Sequence, residues 1–234
     1  MDRRTQAHID MFGEDPQNES KLLPVLRDRI CNSGIEGMRA IKHPFVNEIF
    51  FASWKLANMQ YTTKLKHYKE WLSEREWRRA LFLIERPWRL PYLFSWWKRR
   101  RITREELCEL LVHFWVDAEI PSQYERMPLT LFRATGFITD MEGKESELDF
   151  LLPQQETTIY RGSALEYRDG LSWTKSAERA GWFARRLNVD GEERVVWEAT
   201  VTPDRILGIF LDRGEEEVVV DPWKLRDIRE VERV

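Results

Sequence analysis

The sequence predicts an α+β protein, with a helical N-terminal part packed on a C-terminal mixed β-sheet core. Two observations carry this. Helical periodicity dominates from Lys21 to about Leu152. After Pro153 the apolar residues come in short β-rich runs broken by turn residues. The expected organisation is therefore a helical region over 1–152, its first 20 residues flexible, and a β-rich core over 153–234.

Residues 1–20 are polar and interrupted by Gly13, Pro16 and Asn18, so they read as a loose arm with room for one short helix. Tyr68 to Ile84 reads as a helix that ends before Pro87. Arg104 to Trp115 places Leu107, Leu110, Leu111 and Phe114 at helical spacing, with Thr103 as N-cap. Asp140 to Glu147 is acidic, contains Gly143, and reads as a linker or surface loop. The β-rich runs are Thr157–Arg161, Leu171–Thr174, Arg194–Val201, Ile206–Leu211, Glu216–Val220 and Ile228–Val234. One helix interrupts them: Ser176 is a good N-cap, and Ala180, Phe183, Ala184 and Leu187 form an apolar stripe. Such a sheet cannot cover its own faces, so the helices before it must pack on it.

The composition excludes several classes. With 234 residues, 42% hydrophobic and 33% charged, the chain is globular rather than disordered. Its net charge of -3 hides an asymmetry: Tyr61 to Arg104 holds 13 Lys/Arg against 4 Asp/Glu, a net +9, which leaves -12 for the rest. Cys31 and Cys108 make no disulfide framework, and four histidines offer no zinc spacing, so no metal is expected. Met1-Asp2-Arg3-Arg4 leads into polar residues rather than a signal peptide, and no run approaches the ~20 apolar residues of a membrane span. A cytoplasmic protein is expected.

Three pieces carry chemistry. Arg213-Gly214-Glu215-Glu216-Glu217-Val218-Val219-Val220-Asp221-Pro222 runs an acidic triplet into three valines. If Glu216 to Val220 is a strand, Glu215 and Glu217 share a face and aim two carboxylates at one ligand. Upstream stand Tyr160-Arg161-Gly162 and Leu171-Ser172-Trp173-Thr174. In this order the pieces resemble the Arg…Ser-x-Thr/Ser…Glu-x-Glu signature of the arginine-type mono-ADP-ribosyltransferases. The helix Ala180-Gly181-Trp182-Phe183-Ala184 is similar to an Ala-x-x-Phe helix common in that family. The resemblance covers roughly residues 157–222.

The resemblance implies NAD as substrate and no metal. Arg161 then holds NAD, with Gly162 and Thr174 beside it. Ser172 braces the catalytic Glu217, and Glu215 positions or deprotonates an acceptor, most naturally a protein arginine. The loop Phe210 to Gly214 would meet the target. Arg161 and Ser172 are 11 residues apart, closer than in many family toxins, which implies a compact core covered by the N-terminal helices. Small members without a signal resemble phage proteins or intracellular toxins. Three alternatives stand beside this reading: an NAD glycohydrolase, transfer to nucleic acid, and a non-catalytic interaction module on a degenerate core.

Trp96-Trp97-Lys98-Arg99-Arg100-Arg101 fits nucleic acid, through phosphate contacts and stacking, or a membrane surface. The favoured reading is plainer: packed tryptophans beside a solvated basic turn. Alternation sets Trp173 on the face opposite Ser172 and Thr174, a core position. Trp182 flanks the helical stripe and suits either a pocket wall or a packing surface. His113 reads as structural, and Cys31 and Cys108 as core thiols.

Overall fold

The computed structural model describes residues 15, 17–36, 38–49, 51–118, 126–141, 148, 152–186, 193–211 and 216–234. The chain divides into two compact units, Met1–Tyr92 and Leu93–Val234. The division falls after Tyr92 rather than at residue 152, so the helices after Tyr92 belong with the C-terminal sheet.

The first unit departs from the all-helical expectation. After the short helix α1 (Pro24–Arg27) come strands β1 (Ile30–Asn32), β2 (Arg39–His43) and β3 (Val46–Glu48). They form an antiparallel sheet in the order β1-β2-β3. These strands have three to five residues, too few for a period of two to stand out. Pro44 and Phe45 make the turn between β2 and β3, and the Phe45 N–H donates to Nδ1 of His43 at 3.1 Å. Phe45 packs edge-on against Tyr61 at 6.1 Å and Tyr68 at 5.1 Å, two turns apart on helix α2 (Trp54–Ser73).

The helix expected over Tyr68 to Ile84 is in fact two. α2 ends at Ser73, and α3 runs Trp77–Phe82. Arg75 takes φ 60°, the Glu76 N–H donates to the Trp71 carbonyl at 2.8 Å, and the Arg75 N–H donates to that of Leu72. This is the left-handed helix stop that usually carries glycine. With arginine in that place the sequence gives no warning of it. The second of the two helices ends before Pro87, as expected, and Pro87 itself lies in the first turn of α4 (Arg86–Lys98), where proline is tolerated. The division between the units falls within α4.

In the second unit, helices α5 (Arg104–Trp115) and α6 (Arg126–Thr135) precede strand β4 (Ile138–Thr139). Thr103 caps α5 in a reciprocal capping box with Glu106. Then follow β5 (Thr157–Ala164), β6 (Ser172–Thr174), α7 (Ala177–Arg186), β7 (Arg194–Val201), β8 (Ile206–Phe210), β9 (Glu217–Val220) and β10 (Arg226–Arg233). The seven strands form one mixed sheet in the order β10-β7-β5-β6-β9-β8-β4. The pairing of β4 with β8 is parallel; the others are antiparallel. The β-rich runs thus form strands, while β4 comes from the region expected to be helical. Of the expected loop Asp140 to Glu147, residues 142–147 lie outside the described residues; the Asp140 carboxylate accepts from the Leu211 N–H at 3.0 Å and ties β4 to the end of β8.

Alternation sorts the sheet's faces. Ile159, Trp173, Val195, Trp197, Ala199, Val218 and Val220 enter one apolar core. Tyr160, Val196, Ala180 and Ala184 pack together on the other face, beneath α7. A Cβ at Gly162 would lie 1.9 Å from the Ala180 carbonyl oxygen and 2.6 Å from the Ala184 nitrogen. Only glycine lets α7 rest on β5 there. The Ser176 hydroxyl accepts from the Arg179 N–H at 3.2 Å and starts α7, as its N-cap role requires. Leu187, the last residue of the expected stripe, lies outside the described residues. Among the described residues no helix is long and apolar enough to cross a membrane.

His43 yields a pH prediction. It is 8% exposed, and desolvation, helped by Arg29, holds its pKa below the ordinary histidine value. The neutral ring also accepts the Phe45 N–H at Nδ1. The unfolded chain binds a proton near pH ~6.5 that the folded chain resists, so stability is full above that pH and falls below it. His43→Asn keeps an acceptor near Nδ1 but cannot titrate. Melting temperatures measured between pH 7.5 and 5 are expected to drop less steeply in His43→Asn than in the wild type.

Candidate active site

Strands β5 and β7 pair over all eight residues of each, from Thr157↔Val201 to Ala164↔Arg194. Strands β5 and β6 pair only at Tyr160↔Thr174. Beyond that point the sheet parts, and Arg161 lies at the parting. Its Nη1 donates to the Ser172 carbonyl at 2.6 Å and its Nε to the Tyr167 carbonyl at 3.1 Å. In the register of Tyr160↔Thr174, Ser172 would stand opposite Gly162. The guanidinium therefore supplies a donor to a β6 carbonyl where the ladder stops. Gly170 makes the room: a Cβ there would lie 2.2 Å from Nη2 of Arg161.

The parting leaves a cleft of about 190 Å³, lined by Tyr160, Arg161, Gly162, Ser172, Trp173, Thr174, Phe183 and Glu217. Five of the residues expected to form a site thus meet in one place: Arg161, Gly162, Ser172, Thr174 and Glu217. Register explains part of this. Thr174 stands opposite Glu217 on β9, and Ser172 opposite Val219. Ser172, Thr174 and Glu217 accordingly share one face of the sheet with Tyr160 and Gly162.

Glu217 is held from two sides. The Ser172 hydroxyl donates to its Oε1. The Trp115 indole N–H donates to its Oε2 at 3.1 Å. Trp115 is the last residue of α5, is 4% exposed, and meets the Phe132 ring edge-on at 4.7 Å and 89°. Phe132 in turn meets Phe210, the ladder partner of Glu217, at 6.3 Å. Sequence reasoning missed Trp115: it closes an ordinary apolar stripe 102 positions before its partner, and nothing in its local pattern marks it.

Glu215 lies outside the described residues. The phase argument that joined it to Glu217 does not carry across, because Glu216 is not extended: β9 begins at Glu217, and Glu216 has φ 47°. The other expectations are placed as follows. Thr174 is buried, and its Oγ1 accepts from the Ser176 N–H at 3.2 Å, which turns the chain from β6 into α7. Trp173 is buried and donates its indole N–H to the Gly170 carbonyl at 2.8 Å, a core role. Trp182 is 49% exposed, set against Phe183 and covered by the Arg186 guanidinium at 4.8 Å. Lys175, half-buried, has its pKa lowered by desolvation, against the opposing pull of Glu216.

Trp96 is buried and Trp97 half-buried, while Lys98, Arg99, Arg100 and Arg101 are exposed at the end of α4 and in the turn after it. His113 packs edge-on against Phe114 at 4.8 Å. Cys31 and Cys108 are free and half-buried rather than core, and burial pushes the Cys108 thiol pKa up, which keeps it a poor nucleophile. Among the described residues no group of three or more His, Cys, Asp or Glu side chains is placed to hold a metal ion.

No protein-family model, curated protein or solved structure matches the chain. The site therefore stands on its own geometry: an oriented carboxylate on the wall of a cleft, with a guanidinium at the root of that cleft.

Two substitutions test that geometry. Gly162→Ala forces α7 off β5 and is expected to cost about 1–3 kcal/mol or more, as overpacking does. Arg161→Lys keeps the charge but loses the fork that spans two carbonyls, an expected loss of about 1.5–3 kcal/mol. Urea denaturation measures both, and an unchanged midpoint in either variant would contradict the packing described.

Proposed function

We propose that this chain cleaves the nicotinamide–ribose bond of NAD and transfers the ADP-ribosyl group to a macromolecular acceptor, most naturally a protein arginine. On this reading the parted sheet is an ADP-ribosyltransferase-type core. The observation that carries the proposal is the Glu217 carboxylate, held by Ser172 and Trp115 at the wall of the cleft.

The chemistry follows from that carboxylate. The bond between ribose C1′ and the pyridinium nitrogen breaks with its electron pair going to nitrogen, so neutral nicotinamide leaves. Positive charge then spreads over C1′ and the ring oxygen, as in glycoside cleavage. A fixed carboxylate stabilises that charge and accepts from the ribose hydroxyls, and it needs no reorganisation as the charge develops. The acceptor nitrogen adds its lone pair to C1′ and gives up a proton to a base. Glu215 takes that part in this reading. With water as acceptor the same steps give hydrolysis.

The cleft's volume and lining suit one end of the substrate. At about 190 Å³ it falls below the ~300–1,000 Å³ of pockets that engulf drug-sized ligands. It suits the nicotinamide and its ribose beside the Tyr160 and Phe183 rings, and the positive charge of Arg161, whose Nη1 and Nε are engaged by the Ser172 and Tyr167 carbonyls, favours the anionic pyrophosphate by charge rather than by its fork.

Incubation with NAD labelled in the adenylate, alone and with cell lysate, separates the outcomes: label on macromolecules marks transfer, and free ADP-ribose marks hydrolysis. Glu217→Gln is nearly isosteric but uncharged. It is expected to lower nicotinamide release by about 10²–10³ while leaving the melting temperature close to that of the wild type. Near-normal turnover in a folded Glu217→Gln protein would sink the assignment.

A further inference from the structure

Trp115 has no counterpart in the motifs that suggested the reaction, yet it donates directly to the carboxylate on which the reaction depends. We propose that Trp115 is a positioning residue: its indole N–H fixes the plane of the Glu217 carboxylate and keeps it aimed into the cleft. The inference rests on the glycosidic-cleavage reading above.

Glu217 needs such a restraint. It opens a four-residue strand directly after a left-handed residue, Glu216 at φ 47°. Glutamate has three side-chain torsions, and the last, which turns the carboxylate plane, is broad. One donor pins one oxygen and leaves the other free to swing. Here the two donors come from different elements and reach different oxygens: Ser172 on β6 meets Oε1, and Trp115 at the end of α5 meets Oε2. Two points fix the plane.

The indole is itself held. Its ring stands edge-on to Phe132 at 4.7 Å, Phe132 stands edge-on to Phe210 at 6.3 Å, and Phe210 is the strand partner of Glu217. Glu217, Trp115, Phe132 and Phe210 thus close a ring of contacts, in which moving the indole moves the carboxylate. An indole N–H is donor only and does not titrate, so it orients the carboxylate without competing for its proton. A merely structural account inverts the relation, with Glu217 present to satisfy a buried tryptophan. The two accounts differ in what Trp115→Phe does, because phenylalanine keeps the aromatic packing and removes only the donor.

The test compares wild type, Trp115→Phe, Glu217→Gln and the double variant by steady-state nicotinamide release and by the indole N–H resonances in ¹H–¹⁵N spectra. Loss of a hydrogen bond to a charged group predicts a fall in kcat of about ten-fold or more, with KM little changed. On the Glu217→Gln background Trp115→Phe should cost nothing further. The indole resonance that Trp115→Phe deletes should also shift when Glu217 becomes glutamine. An unchanged kcat in folded Trp115→Phe, an equal further loss on the Glu217→Gln background, or an indole resonance blind to Glu217→Gln would each overturn the proposal. If the wild type releases no nicotinamide, the reaction itself is wrong and the positioning role falls with it. If Glu217→Gln is inactive while Trp115→Phe is not impaired, the positioning role alone fails.

Discussion

The second unit depends on the place where β5 leaves β6. A sheet whose strands stay paired has no interior opening, since each backbone group on one strand answers a group on the next. Here the ladder between the two strands stops at Tyr160↔Thr174, and the Arg161 fork answers the Ser172 carbonyl with a side chain. The parting therefore costs less than two unpaired buried edges would. Without the fork, the carbonyls of Tyr167 and Ser172 would need other donors, and the strands would tend to close. Arg161 is thus a frame member of the cleft, whatever else its remaining N–H groups touch.

Two further devices hold the walls of that opening. Gly162 lets α7 come down on β5, which brings Phe183 to the cleft. Arg133 on α6 reaches Asp221 just past β9, donating through Nε at 3.1 Å and Nη2 at 2.6 Å to one carboxylate oxygen. Asp221 is 1% exposed and also accepts the Trp223 N–H at 3.2 Å, so its charge is well satisfied. Breaking that pair would leave a buried charge only four residues from Glu217. Small side chains on one wall and a buried carboxylate held by a half-exposed arginine near the other do the same work by different physics.

Much of this was legible in the sequence, for identifiable reasons. The six β-rich runs after Pro153 alternate or end at turn residues, and each forms a strand within a few residues of its expected bounds. Thr103 and Ser176 announced their helices, because a cap is a local signal. The cleft residues were legible because three short motifs fall on neighbouring strands. The failures have separate causes. The strands β1 to β3 are too short for a period to emerge, and the end of α2 uses arginine where the left-handed stop usually takes glycine. The in-phase pairing of Glu215 with Glu217 assumed an extended Glu216, which the chain does not provide. Trp115 and β4 were beyond reach, because both act through partners distant in sequence.

That distance has a consequence for how the molecule comes into being. The indole of Trp115 and the carboxylate of Glu217 are 102 positions apart, and β4 waits for β8 in the same way. At the ~5–20 residues per second of translation, the Trp115 indole waits roughly 5–20 seconds for its carboxylate partner to be made. Pairings of such long range also form slowly once both ends exist. A growing chain on the ribosome therefore carries every other residue lining the cleft before the one that matters most, and the clamp cannot close until Glu217 has been made.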